Sequence, residues 1–178
     1  MIRRIVPWIV GALVLTITLA AVYLTVQQLD RQGADEQPER LATQLAILHD
    51  LPEPEAQDLV DLAGSEALFY VVYDTTGSPL SGTGYLDGAL AEVPRGVVSL
   101  AADNRRNAVT WQPRNGLRFA TVEIAQGDRV VMAGQSLAPS EARTASIGGM
   151  LLLAWVIGLV VLAAGAALHV RYTARRID

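Results

Sequence analysis

The side chains best suited to catalysis are scarce in this chain: it has two histidines, His49 and His169, and no cysteine. A Ser-His-Asp hydrolase would need His49 beside an activated serine, and no Gly-x-Ser-x-Gly elbow is present to supply one. The lack of Cys excludes thiolate metal sites, Cys nucleophiles and disulfide scaffolds. His49, Asp50 and Glu53 can be weighed as a metal site, but one imidazole with two carboxylates at a helix end reads as a solvated terminus. Asp58 and Asp61 lack the dense ligand spacing of a Ca²⁺ loop and read as a solvated face. The expectation is a chain that is not an enzyme, with no catalytic residue, metal or cofactor of its own. Its function then lies in binding or transmission.

Two apolar runs set what can position any binding residues. They cover residues 5–26 and 147–170, and neither contains a charged residue. Each exceeds the roughly 20 residues that cross a ~30 Å hydrocarbon core as an α-helix. In lipid the backbone must satisfy its own hydrogen bonds, so such a run is helical. Arg3 and Arg4 precede the first run; Arg171, Arg175 and Arg176 follow the second. The segment between the runs carries nine Arg against seventeen Asp and Glu, a net of −8, whereas the ends carry five Arg and one Asp, a net of +4. Arg beside a span favours the cytoplasmic side. Both termini are therefore expected in the cytoplasm, with the central segment outside an inner or plasma membrane. An acidic central segment also argues against nucleic acid as a partner. The first run is long for a signal-peptide core and no small-x-small cleavage site follows it, so it reads as an uncleaved anchor.

The expected division is a cytoplasmic N-terminus at 1–4, transmembrane helix at 5–26, stalk helix at 27–52, extracytoplasmic domain at 53–145, second transmembrane helix at 146–170 and cytoplasmic tail at 171–178. Along the stalk, Leu41, Leu45 and Leu48 recur at helical spacing with Ala42 and Ala46 beside them, and Pro38 restarts or kinks the helix. Pro7 is expected in the first helical turn. A short helix is expected over 55–63. The pattern then becomes strand-like. Residues 68–74 are aromatic and β-branched, as a buried strand would be, and a Gly-rich strand follows over 80–86. After a helix over 94–104 come strands at 108–112, 117–125 and 129–137, with Asn115-Gly116 as a hairpin signal between the first two. The fold class is α+β: a five-stranded antiparallel sheet with helices on one face, between two transmembrane helices. In the second apolar run Ala154-x-x-x-Gly158, with Gly165 seven residues on, is a small-residue pattern suited to helix–helix packing, both with the first span and in a homodimer.

Three blocks carry a family resemblance: Phe69-Tyr-Val-Val-Tyr-Asp-Thr-Thr-Gly77; Val109-Thr-Trp-Gln-Pro with Gly116-Leu-Arg-Phe-Ala-Thr-Val; and Val130-Val-Met-Ala-Gly-Gln-Ser-Leu137 just before the second span. Their order resembles the extracytoplasmic PAS-like (single Cache) sensor domains of bacterial two-component histidine kinases. The resemblance implies a small-molecule pocket between the sheet and the helix-containing connection after the second strand, involving Tyr70, Tyr73, Tyr85, Trp111, Arg114 and Arg118. Within it Arg114 and Arg118 could clamp a carboxylate through paired guanidinium donors; the alternative is that Arg114 belongs to a turn, Arg118 faces outward and the aromatic residues are core.

A kinase of this kind would continue into a HAMP helix pair, a phosphorylated His and an ATPase module, and nothing up to Asp178 matches these. The chain is expected to be the sensor region of such a signalling receptor, or a stand-alone relative acting through a cytoplasmic kinase, with a small molecule or protein as stimulus. The alternative is a non-sensing accessory or scaffold subunit of a membrane transporter or envelope complex.

Overall fold

The structure, a computed structural model, describes residues 2–48 and 53–174. His49, Asp50, Arg175 and Arg176 lie outside the described residues, as do the ends of the expected N-terminus, stalk and tail. The elements are α1 (Ile2–Ala34), α2 (Glu36–Ala46), a single 3₁₀ turn (Ala56–Asp58), β1 (Val60–Asp61), β2 (Phe69–Asp74), β3 (Pro79–Gly82), β4 (Gly84–Leu86), β5 (Ala89–Leu90), α3 (Arg95–Asn104), β6 (Arg106–Arg114), β7 (Leu117–Gln126), β8 (Arg129–Ser136) and α4 (Ala138–Ala174). They form two compact units: Met1–Leu29 with Ala142–Asp178, and Asp30–Glu141.

The first unit is a pair of helices. Its apolar stretches lie within Ile5–Leu29 and Ala138–Tyr172; the most apolar window of each has a mean hydropathy of 2.4 and 2.6, and both helices are long and apolar enough to cross a membrane. Ile17, Leu24, Leu153 and Val160 are more than half exposed, and apolar residues on every side suit a helix with no polar face to give to water. α1 starts at Ile2, so Pro7 lies inside the helix rather than in its first turn, and removes one backbone hydrogen bond there.

The second unit is α+β. Its main sheet is antiparallel in the order β3-β2-β8-β7-β6; a smaller sheet has the order β1-β4-β5, with β1 parallel to β4. Residues facing each other across antiparallel strands share a face, and this register divides the core in two. Tyr70, Val72, Val131 and Ala133 pack under α2 with Ala42, Leu45 and Ala46. Phe69, Val71, Tyr73, Phe119 and Met132 pack with Val98 and Ala101 of α3. The helices therefore cover opposite faces, a correction to the one-sided arrangement expected. The physical reason is visible in β2, where Phe69 to Tyr73 are all buried: a strand apolar at every position needs cover on both sides.

The stalk restarts at Pro38, one of the two outcomes expected there, and two further segments differ from expectation. α1 ends at Ala34, Asp35 forms a turn, and α2 begins at Glu36, with Pro38 in its first turn where a missing N–H leaves no bond unmade. Pro38, Ala42, Leu45 and Ala46 are buried, whereas Leu48 is exposed. The helix expected over 55–63 gives way to the 3₁₀ turn and β1, because Val60 and Leu62 donate their N–H groups to Thr83 and Tyr85 carbonyls. The strand expected over 80–86 splits at Thr83. Gly82 (φ 155°) lies so close to Tyr70 and Val71 that no Cβ would fit, and the chain then crosses to the smaller sheet.

Candidate functional site

The α3 face carries an aromatic row and opens into a cleft. Phe69 meets Phe119 edge-on, with ring centroids 5.5 Å apart, and Phe119 meets Trp111 at the same separation. Such pairs add roughly 0.5–1.5 kcal/mol beyond the area they bury. Close packing of glycine extends the row: a Cβ at Gly134 would come within 2.5 Å of the Phe69 ring. Trp111 ends the row and lines a cleft of about 540 Å³ between β6 and the segment that enters α3, together with Glu92, Val93, Val97, Thr110 and Gln112. Among the described residues Glu92 is the one charged side chain lining it, so its electrostatics favour a cationic or hydrogen-bonding guest over an anion.

The six residues implied by the resemblance do not converge there. Trp111 lines the cleft. Tyr73 lies on the same face, fully buried, with its hydroxyl donating to the Ala91 carbonyl at 2.6 Å; burial, with Glu123 adding to it, pushes its pKa well up. Tyr70 points to the opposite face, under α2. Tyr85 belongs to the smaller sheet, paired with Leu90. Arg114 is ion-paired with Asp87 at 3.2 Å and Arg118 with Glu141 at 2.6 Å. The two guanidiniums thus serve separate carboxylates of the chain itself.

Arg118 has a positional consequence. Its carbonyl accepts from Leu137 N–H at 2.9 Å and its side chain holds Glu141, in the first turn of α4. β8 passes to α4 through Leu137 alone, so the exit from the sheet is tied to β7 by backbone and side chain together. At the other end of β2, Asp74 accepts from Thr76 N–H, Thr76 hydroxyl and Ser78 N–H at 2.7–2.9 Å, and these bonds, the Thr76 side chain first, lower its pKa. This explains the Asp-x-x-Gly block as a turn, with Gly77 at φ 88°.

In the helix pair the small residues are already used. A Cβ at Gly158 would lie 2.5 Å from Leu15, and one at Gly165 would lie 2.7 Å from the Trp8 indole; Gly148 receives Tyr23. The Trp155 indole N–H donates to the Thr16 hydroxyl at 2.9 Å. The Gly158 and Gly165 positions therefore face α1 of the same chain, while Ala154 is exposed.

Sequence reasoning passed over two acidic residues on or near the α3 face, Glu92 and Glu123. Glu123 is fully buried, and neither carboxylate oxygen has a hydrogen-bond partner. Burial pushes its pKa up to about 7; the Thr121 and Asn107 dipoles oppose the rise without cancelling it. The signal was available in Leu117-Arg-Phe-Ala-Thr-Val-Glu-Ile, where Glu123 falls in step with Leu117, Phe119 and Thr121 on one face of a strand whose other face carries Ala120, Val122 and Ile124. Among the described residues no group of three or more His, Asp or Glu is placed to hold a metal ion. A scan against protein-family models finds no match to the chain, and comparison with curated proteins finds none either.

Proposed function

We propose that this chain is the membrane-anchored input region of a two-component-type signalling receptor. In this reading α1 and α4 cross the inner or plasma membrane, both termini are cytoplasmic, and Asp30–Glu141 is an extracytoplasmic PAS-like sensor domain. The effector is a cytoplasmic kinase, and the receptor works as a homodimer in the bilayer. The observation that carries the reading is the joint at Leu137: a buried strand of the sheet continues into an apolar helix across one residue, and Arg118 fixes the first turn of that helix. The Trp111 cleft gives a small molecule or a protein segment a place to act on β6 and the entry to α3. The antiparallel sheet of five strands, with a helix between its second and third strands, supports the PAS-like assignment. A stimulus transmits only by favouring one arrangement of the joint over another.

The absence of native Cys allows a clean test. A cysteine at Asp128 in intact cells should react with a membrane-impermeant maleimide, and one at Tyr172 should not; labelling of both from outside would overturn the topology. Cysteines at the exposed α4 positions Leu153, Val156 and Val160 should crosslink copies, and Trp111→Ala or Arg118→Ala should change which positions crosslink best. Identical patterns in all variants, with recovery of a stable transporter or envelope complex, would favour the scaffold alternative.

A further inference from the structure

Among the described residues, Glu123 is the one charged side chain with its whole surface buried. The register sets it opposite Asn107 on β6 and Met132 on β8, with Val71 beyond, on the face covered by α3. The nearest donors make their own hydrogen bonds to other acceptors, and the pull that Thr121, Asn107 and the Glu123 N–H still exert on the carboxyl does not offset its burial. The Thr121 hydroxyl donates to the Val109 carbonyl, the Asn107 amide to the Val97 carbonyl and the Tyr73 hydroxyl to the Ala91 carbonyl. Arg106, whose side chain lies toward the α2 face, donates through Nε and Nη2 to the two Glu39 oxygens and meets Glu123 only through its charge, and Arg129 of β8 donates to the Leu48 carbonyl. Arg114 of β6 is held by Asp87, and the charged residues of α3, Arg95 and Asp103, are exposed. Asp35, by α2, repels further negative charge on Glu123, while Glu92 acts on Tyr73. An ionised carboxylate in such a place loses its hydration and gains too little in return.

We propose that Glu123 is a proton-operated latch beneath α3: the neutral carboxyl lets α3 seat on the sheet, and ionisation draws in water and loosens α3, so that the domain responds to the pH around it. The pKa of about 7 agrees with that geometry. The folded-state value is raised above the usual 4.5, so between these values the folded protein binds the proton that the unfolded chain has released. Stability then falls as pH rises through this window, and the whole loss is in place above it. The inference stands on the burial of Glu123 and holds whether or not the chain belongs to a receptor.

Hydrogen exchange of the full chain in nanodiscs, corrected for the intrinsic pH dependence of exchange, tests it. Between about pH 5.5 and about pH 8.5, protection of α3 and β7 amides should fall by at least about tenfold in the wild type. Protection of α2 should change far less. Glu123→Gln should hold α3 protected at both values, as should Glu123→Met, which removes the titrating group and serves if the amide disturbs folding. In the wild type alone, infrared spectra should show a buried protonated carboxyl band that disappears as pH rises through about 7, close to the raised pKa. Wild-type α3 protection that is flat with pH, a pH response retained in both variants, or an infrared spectrum without that band at the acidic end would each overturn the proposal.

Discussion

On one face of the main sheet, α2 lays Ala42, Leu45 and Ala46 on Tyr70, Val72, Val131 and Ala133. On the other, α3 and the smaller sheet cover the row of Phe69, Phe119 and Trp111, with Glu123 beneath them. The first interface uses small side chains at close approach and keeps its charges at the rim, where Arg106 holds Glu39 through two hydrogen bonds. The second buries larger side chains, opens at Trp111, and contains a carboxyl whose charge state the surroundings decide. The same strands thus make a seat that solution conditions barely reach on one side and an adjustable cover on the other.

The comparison can be broken or sharpened by substitution. The largest effect is expected from Phe119→Ala, which removes the centre of the aromatic row and should cost about 3–5 kcal/mol in denaturant unfolding. Next is the pH dependence of wild-type stability, a loss of about 3 kcal/mol as pH rises from 4.5 to about 7; Glu123→Gln should flatten the curve. Ala42→Leu, which overfills the tight α2 interface at a fully buried position, should cost about 1–3 kcal/mol, with a similar penalty at acidic and alkaline pH if the two faces are independent. Glu39→Gln should be smallest, below about 1 kcal/mol, because the pair with Arg106 is half exposed. The Arg106 hydrogen bonds lower the Glu39 pKa, so this small contribution should fade as pH drops below the usual carboxylate range. A Glu39→Gln effect comparable to that of Ala42→Leu would mean that the rim, rather than the packing, holds α2.

Much of the sheet was legible in the chain because its strands are strongly marked. β2 is apolar at every position from Phe69 to Tyr73, and Asn115-Gly116 and Gly127-Asp128 punctuate the last three strands; both glycines take positive φ, 79° and 66°. The smaller sheet was missed, although Asp87-Gly88 is a hairpin signal of the same kind and both residues have positive φ. Its strands are two or three residues long, too short for any periodicity to register, and β1 exists through its pairing with β4 rather than its own propensity. The side on which each helix packs was hidden for another reason. Both are amphipathic, and nothing local distinguishes covering one face from covering the other. Of the implied pocket residues only Trp111 reaches the cleft: strand alternation sends Tyr70, three positions from Tyr73, to the opposite face, and Tyr73 is buried with its hydroxyl on the Ala91 carbonyl.

The glycines of α4 have one more consequence. Trp8, Leu15 and Tyr23 each sit in a gap left by a missing side chain, at Gly165, Gly158 and Gly148. A slide of one helical turn, about 5.4 Å along the axis, would carry the indole from Gly165 onto Val161 and Leu162 or onto Leu168 and His169, whose side chains occupy the space it needs. The three notches act together as a detent. The pair is indexed to one register, and leaving it means lifting all three side chains at once, so sliding between these helices would proceed in clicks rather than by creep.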